Sequence, residues 1–151
     1  EKAISESCKI KKRIVEIDEK EKKIRKVLNL GHTFAHAYEA ETKYSKKLNH
    51  GEAVILGINS AAKFSLSNKL LTRKKYLRII SHINDLNLSN NKKNLFKKKN
   101  ISSILKFMET DKKNNSNKIN LILLKDIGKP IVSLYFKIDK IKNFFYKELF
   151  N

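Results

Sequence analysis

Only one stretch of this chain has the pattern of β-structure. "INLILL" (119–124) and "IVSLYFKI" (131–138) are β-type runs separated by "KDIGKP", which predicts an antiparallel hairpin. Every other long apolar pattern follows helical spacing. No glycine-rich phosphate-binding turn is present. The expected fold is therefore mainly α with one small antiparallel β-hairpin.

Residues 1–16 place Ile4, Cys8, Ile14 and Val15 near helical spacing, and the charge-dense "DEKEKKIRKVLN" (18–29) follows. Residues 31–42 read as a helix with Phe34, Ala37, Tyr38 and Glu39 in its body. "SKKLNHG" (45–51) reads as a loop, and a long apolar helix runs from Glu52. Small residues along that helix, Ala53, Gly57, Ser60, Ala61 and Ala62, would let a neighbour approach closely. Further helices are expected at 73–86 and 101–111, a polar connection at 87–100 and a polar turn at 112–118. A last helix closes the chain with Asp139 as its expected cap.

The length of 151 residues suits one domain, and 40% hydrophobic content suffices for a core. The first residue is Glu1 and the one methionine is Met108, so the chain reads as the later part of a longer protein. No leader and no run of about 18 apolar residues is present, so neither export nor membrane spanning is expected. Cys8 stands alone and cannot make an internal disulfide, which makes cytoplasmic residence the simplest expectation. A formal charge of +19 would attract polyanions without specificity. Yet 30 of the 34 basic residues are lysine, whereas surfaces that read bases or grip phosphates lean on the arginine fork. Scattered lysine and asparagine read as a solvated face, and no specific nucleic-acid partner is expected.

Chemistry concentrates in "LNLGHTFAHAYEAET" (28–42) and in the following "LNHGEAV". His32 and His36 are four apart, so on a helix they share a face at metal-ligand spacing. His50 lies beyond a short loop, where a chain reversal could return it to them. Three histidines within 19 residues fit a centre with three protein ligands and an open position. Spacing alone assigns both His32 and His36 to the metal. His82, on a lysine-rich helix with no acidic or histidine neighbour in sequence, reads as structural.

Taken together, "CKIKKRIVEIDEKEKKIRKVLNLGHTFAHAYEAET", "HGEAVILGINSAAKFS" and, more weakly, "METDKKNNSNKINLILLKDIGK" resemble the C-terminal domain of 3-dehydroquinate synthases. The resemblance implies a two-domain enzyme whose N-terminal α/β domain binds NAD. The mainly helical C-terminal domain would then carry most metal and substrate contacts, and this chain would span that domain over 1–151. On the same basis His32 and His50 match zinc-binding histidines, with the third ligand a glutamate of the N-terminal part. His36 matches a histidine of proton transfer near the substrate, and Glu21 an acidic residue with a similar proton-accepting role. Lys11, Arg25 and Asn29 match substrate-binding positions, as does one of Lys112 and Lys113.

The implied reaction converts a seven-carbon sugar acid phosphate, 3-deoxy-D-arabino-heptulosonate 7-phosphate, to 3-dehydroquinate and phosphate. It belongs to the shikimate route to chorismate and the aromatic amino acids, and uses NAD with zinc or cobalt. Cationic Lys11, Arg25 and a lysine of "DKK" suit the substrate's carboxylate and phosphate. A homodimer is likewise implied. Three departures from the family pattern stand out: Lys23 and Ala35 where glycine is usual, and Tyr38 where an aliphatic residue is usual. Lys23 would disfavour a positive φ if one were required there. Two other readings compete: a sister sugar-phosphate cyclase or metal-dependent polyol dehydrogenase, and a non-catalytic basic remnant that binds anionic partners.

Overall fold

The computed structural model describes residues 1–85, 95–110 and 118–149. Among these, helix α1 (Lys2–Ile17) leads into a 3-10 turn (Ile24–Asn29), then α2 (His32–Glu41), α3 (His50–Ser67) and α4 (Arg73–Asp85). Helix α5 (Ile101–Thr110) precedes strands β1 (Lys118–Asp126) and β2 (Lys129–Lys137), and α6 (Ile138–Phe144) runs on into a π-type turn (Phe145–Leu149). The mainly helical architecture with one hairpin is as the sequence predicts. The expected connection at 87–100 and turn at 112–118 fall largely outside the described residues.

Two ends differ from expectation. Helix α3 starts at His50, because Asn49 caps it and the Asn49 backbone N–H donates to the Glu52 carboxylate at 2.8 Å. This reciprocal pairing of cap and third residue ends the loop two residues early. The final helix is flanked by Lys137, and Asp139 lies in its first turn instead of capping it. There a carboxylate still meets the positive end of the helix dipole.

The core sits where α2 and α3 cross. Phe34, Tyr38, Leu56 and Phe64 from these helices meet Ile104 and Met108 of α5, all at most 2% exposed. Phe144 and Phe145 close the same cluster. The crossing is unusually close: Gly31 has φ +82°, and a Cβ on it would stand 2.5 Å from the Ile58 backbone nitrogen. Gly57 of α3 faces the Gly31 carbonyl from the other side. The two glycines thus let backbone meet backbone, which no side chain would permit. Ala35 is fully buried beside them, so the methyl found in place of glycine is accommodated. Tyr38 is accommodated too: its hydroxyl lies 2.8 Å from Ser60 Oγ, and its ring stacks on Phe96.

The hairpin pairs Ile119 with Phe136, Leu121 with Leu134 and Leu123 with Ile131. Period-two alternation sends Ile119, Leu121 and Leu123 into the core. It turns Asn120 and Ile122 the other way. Ser65 of α3 ties the strand down by accepting the Leu124 N–H at 2.9 Å. No residue of α1 is buried, and Ile4, Ile10 and Ile17 along it are all more than half exposed. Among the described residues, no helix is long and apolar enough to cross a membrane.

Candidate functional site

The α2–α3 crossing brings the three motif histidines together. Ring centroids of His32 and His36 are 5.6 Å apart, as the i, i+4 spacing on α2 dictates. His50, at the start of α3, lies 5.9 Å from His32 and 6.4 Å from His36. The expected chain reversal between residues 42 and 50 thus occurs. Equal spacing does not distinguish the three rings, but their partners do. His50 Nδ1 lies 3.0 Å from Glu39 Oε1, and His32 Nδ1 lies 3.4 Å from the Leu30 carbonyl. An acceptor at Nδ1 leaves Nε2 for a metal ion. His36 has no hydrogen bond among the described residues, and it is exposed.

His32 is half-buried. Burial holds its imidazole below the ordinary value, assisted by the charges of His36 and His50 and opposed by the Leu30 carbonyl and Glu39. A neutral imidazole is the form that ligates metal. Among the described residues, no three His, Cys, Asp or Glu side chains are arranged to hold a metal ion. The donor set at hand is two imidazoles with oriented rings, which fits zinc or cobalt once a further ligand comes from outside the described residues. NAD is a different matter. The described residues form no parallel strand and no glycine-rich turn before a helix, so they do not fit that cofactor.

A cleft of about 640 Å³ opens over the histidines. Glu21, Lys26, Asn29, His32 and His36 form one wall. Asn120, Ser133 and Tyr135 of the hairpin form the other. A smaller adjoining recess of about 340 Å³ brings Lys11 of α1 and Arg25 beside Glu21, Asn29 and His32. Thus Lys11, Glu21, Arg25, Asn29, His32 and His36 gather in one region, with His50 packed against its histidines. Lys112 and Lys113 lie outside the described residues. His82 is elsewhere, beside an apolar groove between α3 and α4.

The segment from Asp18 to Asn29 is built around one carboxylate. Asp18 accepts the backbone N–H groups of Lys22, Lys23 and Arg25 at 2.9, 2.7 and 3.0 Å. Desolvation works against its charge, but the N–H donors of Arg25, Lys23 and Lys22 and the Arg25 guanidinium outweigh it and hold the carboxyl below the usual range. Arg25 also donates to the Glu19 carbonyl at 2.5 Å, and Asn29 Nδ2 donates to Glu21 Oε1 at 2.6 Å. Glu21 itself adopts φ +52°. A left-handed glutamate is uncommon and is held here by surrounding bonds. Lys23 has φ −132°, so the position where glycine is usual makes no demand for a positive φ.

Sequence reasoning passed over Asp18, the role of Glu39 as partner to His50, and the hairpin wall. An aspartate opening a charged turn is a recognisable signal for side chain to backbone bonding. Strand alternation marks Asn120 and Tyr135 as facing away from the core, but only the packing of the hairpin directs that face onto the histidines.

The model of the family described as "3-dehydroquinate synthase C-terminal" matches residues 1–114. A 3-dehydroquinate synthase of Pelagibacter ubique is 56% identical over 147 residues, covering 97% of this chain and 40% of the relative. One from Endomicrobium trichonymphae is 42% identical over 146 residues, covering 93% of this chain and 38% of the relative. Among solved structures, 2-deoxy-scyllo-inosose synthase, complexed with carbaglucose-6-phosphate, NAD+ and Co2+, shares the fold with a TM-score of 0.66. Its identity is 23%, over 82% of this chain and 35% of that one. This chain therefore spans about two fifths of the length of the relatives it matches. With the family model matching residues 1–114 and a relative 56% identical over nearly the whole of this chain, the chain belongs to the 3-dehydroquinate synthase family and corresponds to its C-terminal domain.

Proposed function

We propose that the full-length protein is a 3-dehydroquinate synthase, converting 3-deoxy-D-arabino-heptulosonate 7-phosphate to 3-dehydroquinate and phosphate. This chain supplies two metal ligands and most of the substrate contacts. The observation that carries the reading is the convergence of His32 and His36 with Glu21 and Asn29 on one cleft, with His50 packed against the two histidines. His32 and His50 would hold zinc or cobalt, completed by a donor from the N-terminal part. When bound, such an ion supplies a Lewis acid that orients and acidifies neighbouring hydroxyls.

Lys11 and Arg25 lie in the recess beside the histidines and suit a carboxylate or phosphate through charge-assisted bonds. Lys112 or Lys113 would add a further cation. Glu21, oriented by Asn29, accepts a proton at its carboxylate, and His36 passes one through its imidazole. Because its ring is held by no other side chain's hydrogen bond among the described residues, His36 can turn between substrate and water. NAD binding and hydride transfer belong to the N-terminal part, and a homodimer is the proposed assembly.

The test is phosphate release from the seven-carbon substrate by the full-length protein with NAD and zinc. Release that is lost in His32→Ala and His50→Ala, with 3-dehydroquinate as product, is the expected result. Accumulating NADH would instead indicate a polyol dehydrogenase. The fold shared with 2-deoxy-scyllo-inosose synthase favours a sister cyclase as the second reading, and a different carbocycle as product would establish it. Binding of polyanions with no turnover at all would leave the basic remnant.

A further inference from the structure

The Glu39 carboxylate is nearly buried, with the residue 8% exposed, between α2 and the start of α3. No lysine or arginine pairs with it among the described residues. Its Oε1 lies 3.0 Å from His50 Nδ1, while the His50 side chain is 62% exposed on its far side. A buried carboxylate is retained only where it is hydrogen-bonded, and here the bond runs to a ring packed against His32 and His36. Both ends of this bond are fixed independently. Glu39 is carried on α2 one turn after His36, and α3 is fixed at its start by the Asn49–Glu52 pairing.

A carboxylate accepts and does not donate, so the proton of a neutral His50 must sit on Nδ1. That leaves the Nε2 lone pair as the ring's one metal-binding atom, on the side away from Glu39. The arrangement is the carboxylate–histidine pairing that orients metal ligands and raises their basicity. We propose that Glu39 is a positioning residue, which fixes the Nδ1–H tautomer and the orientation of His50 so that this ring and His32 present a preorganised pair to the metal. The inference rests on the reading above that His32 and His50 are the ligands. Helix α2 then contributes twice to one centre, through a ligand at its first residue and through the carboxylate that aims the other ligand.

Two measurements on the full-length protein test it. The first is the tautomer of His50 in the metal-free protein, read from ring-nitrogen NMR of histidine-labelled samples. Nδ1–H is expected in the parent, with a mixture of tautomers in Glu39→Ala. The second is affinity for Co2+ alone, followed by visible absorption with chelator competition. Glu39→Ala should bind about 10–100-fold more weakly. Glu39→Gln keeps the side chain's size and an acceptor oxygen; it should weaken binding less, about tenfold at most, and it keeps the test decisive if the alanine variant fails to fold. An Nε2–H parent overturns the inference. So does unchanged Co2+ affinity in both Glu39 variants while His32→Ala and His50→Ala lose binding. If the two histidine variants also bind Co2+ as the parent does, it is the ligand assignment itself that falls, and the tautomer measurement still judges Glu39.

Discussion

Substituting Gly57 by alanine tests whether the backbone contact between α2 and α3 holds the site together. A Cβ at position 57 would overlap the Gly31 carbonyl oxygen and stand 3.0 Å from the Ala35 nitrogen. Neither obstacle is a flexible side chain. The Gly31 carbonyl is moreover committed to the Ala35 N–H at 2.9 Å, so the helices must move apart. Overpacking of this kind costs about 1–3 kcal/mol. Alanine in a helix interior returns up to about 1 kcal/mol, leaving a net loss of up to about 2 kcal/mol. Gly51, on the same helix, is the matched control: a Cβ there meets nothing within 4 Å. Gly51→Ala should therefore stabilise by about 0.4–1 kcal/mol. At about 2–4 °C per kcal/mol for a chain of this size or somewhat larger, the two variants should melt several degrees apart, with Gly57→Ala the lower. Because α2 carries His32 and α3 carries His50, Gly57→Ala should also weaken metal binding, whereas Gly51→Ala should not. Thermal unfolding by circular dichroism reads the first effect and Co2+ titration the second. Coincident melting of the two variants would refute the argument that backbone contact at the crossing leaves no room for a methyl.

Asp18→Asn removes one of the carboxylate oxygens that accept the Lys22, Lys23 and Arg25 N–H groups. Turnover should fall through the displaced Glu21 and Arg25 with little change in melting temperature, and exchange of those amides should quicken; unchanged exchange would count against Asp18 as organiser. Tyr38→Phe deletes the buried hydroxyl bonded to Ser60 and should cost about 0.5–1.5 kcal/mol, read from denaturant unfolding. In the metal-free protein, His32 titrates below the ordinary imidazole value because of its burial. Its folded pKa is thus depressed, so the neutral ring's contribution to stability is fully present above about 6.5, the unfolded value. That contribution is lost as pH falls through the folded value, and His32→Gln should flatten this part of the stability–pH curve.

Much of this protein is written locally. Alternation in 119–124 and 131–138 specifies the hairpin, and helical spacing specifies α2, α3 and α4, because each pattern reports which side of a local element avoids water. The grouping of His32 and His36 follows from a period of 3.6 and needs no tertiary knowledge. The motif around them was enough for the family. The third histidine is different: His50 reaches the pair only because Gly31 and Gly57 let two backbones touch, a contact between residues 26 positions apart in sequence. Spacing by itself offers His36 as readily as His32, whereas only His32 and His50 have an acceptor at Nδ1 among the described residues, and one of these partners, Glu39, lies on a different helix from its histidine. The hairpin's Asn120 and Tyr135 likewise become a wall of the cleft through packing against α3, not through their own sequence. Periodicity records the exposure of each element to solvent. It does not record which elements meet, and the site lies where they meet.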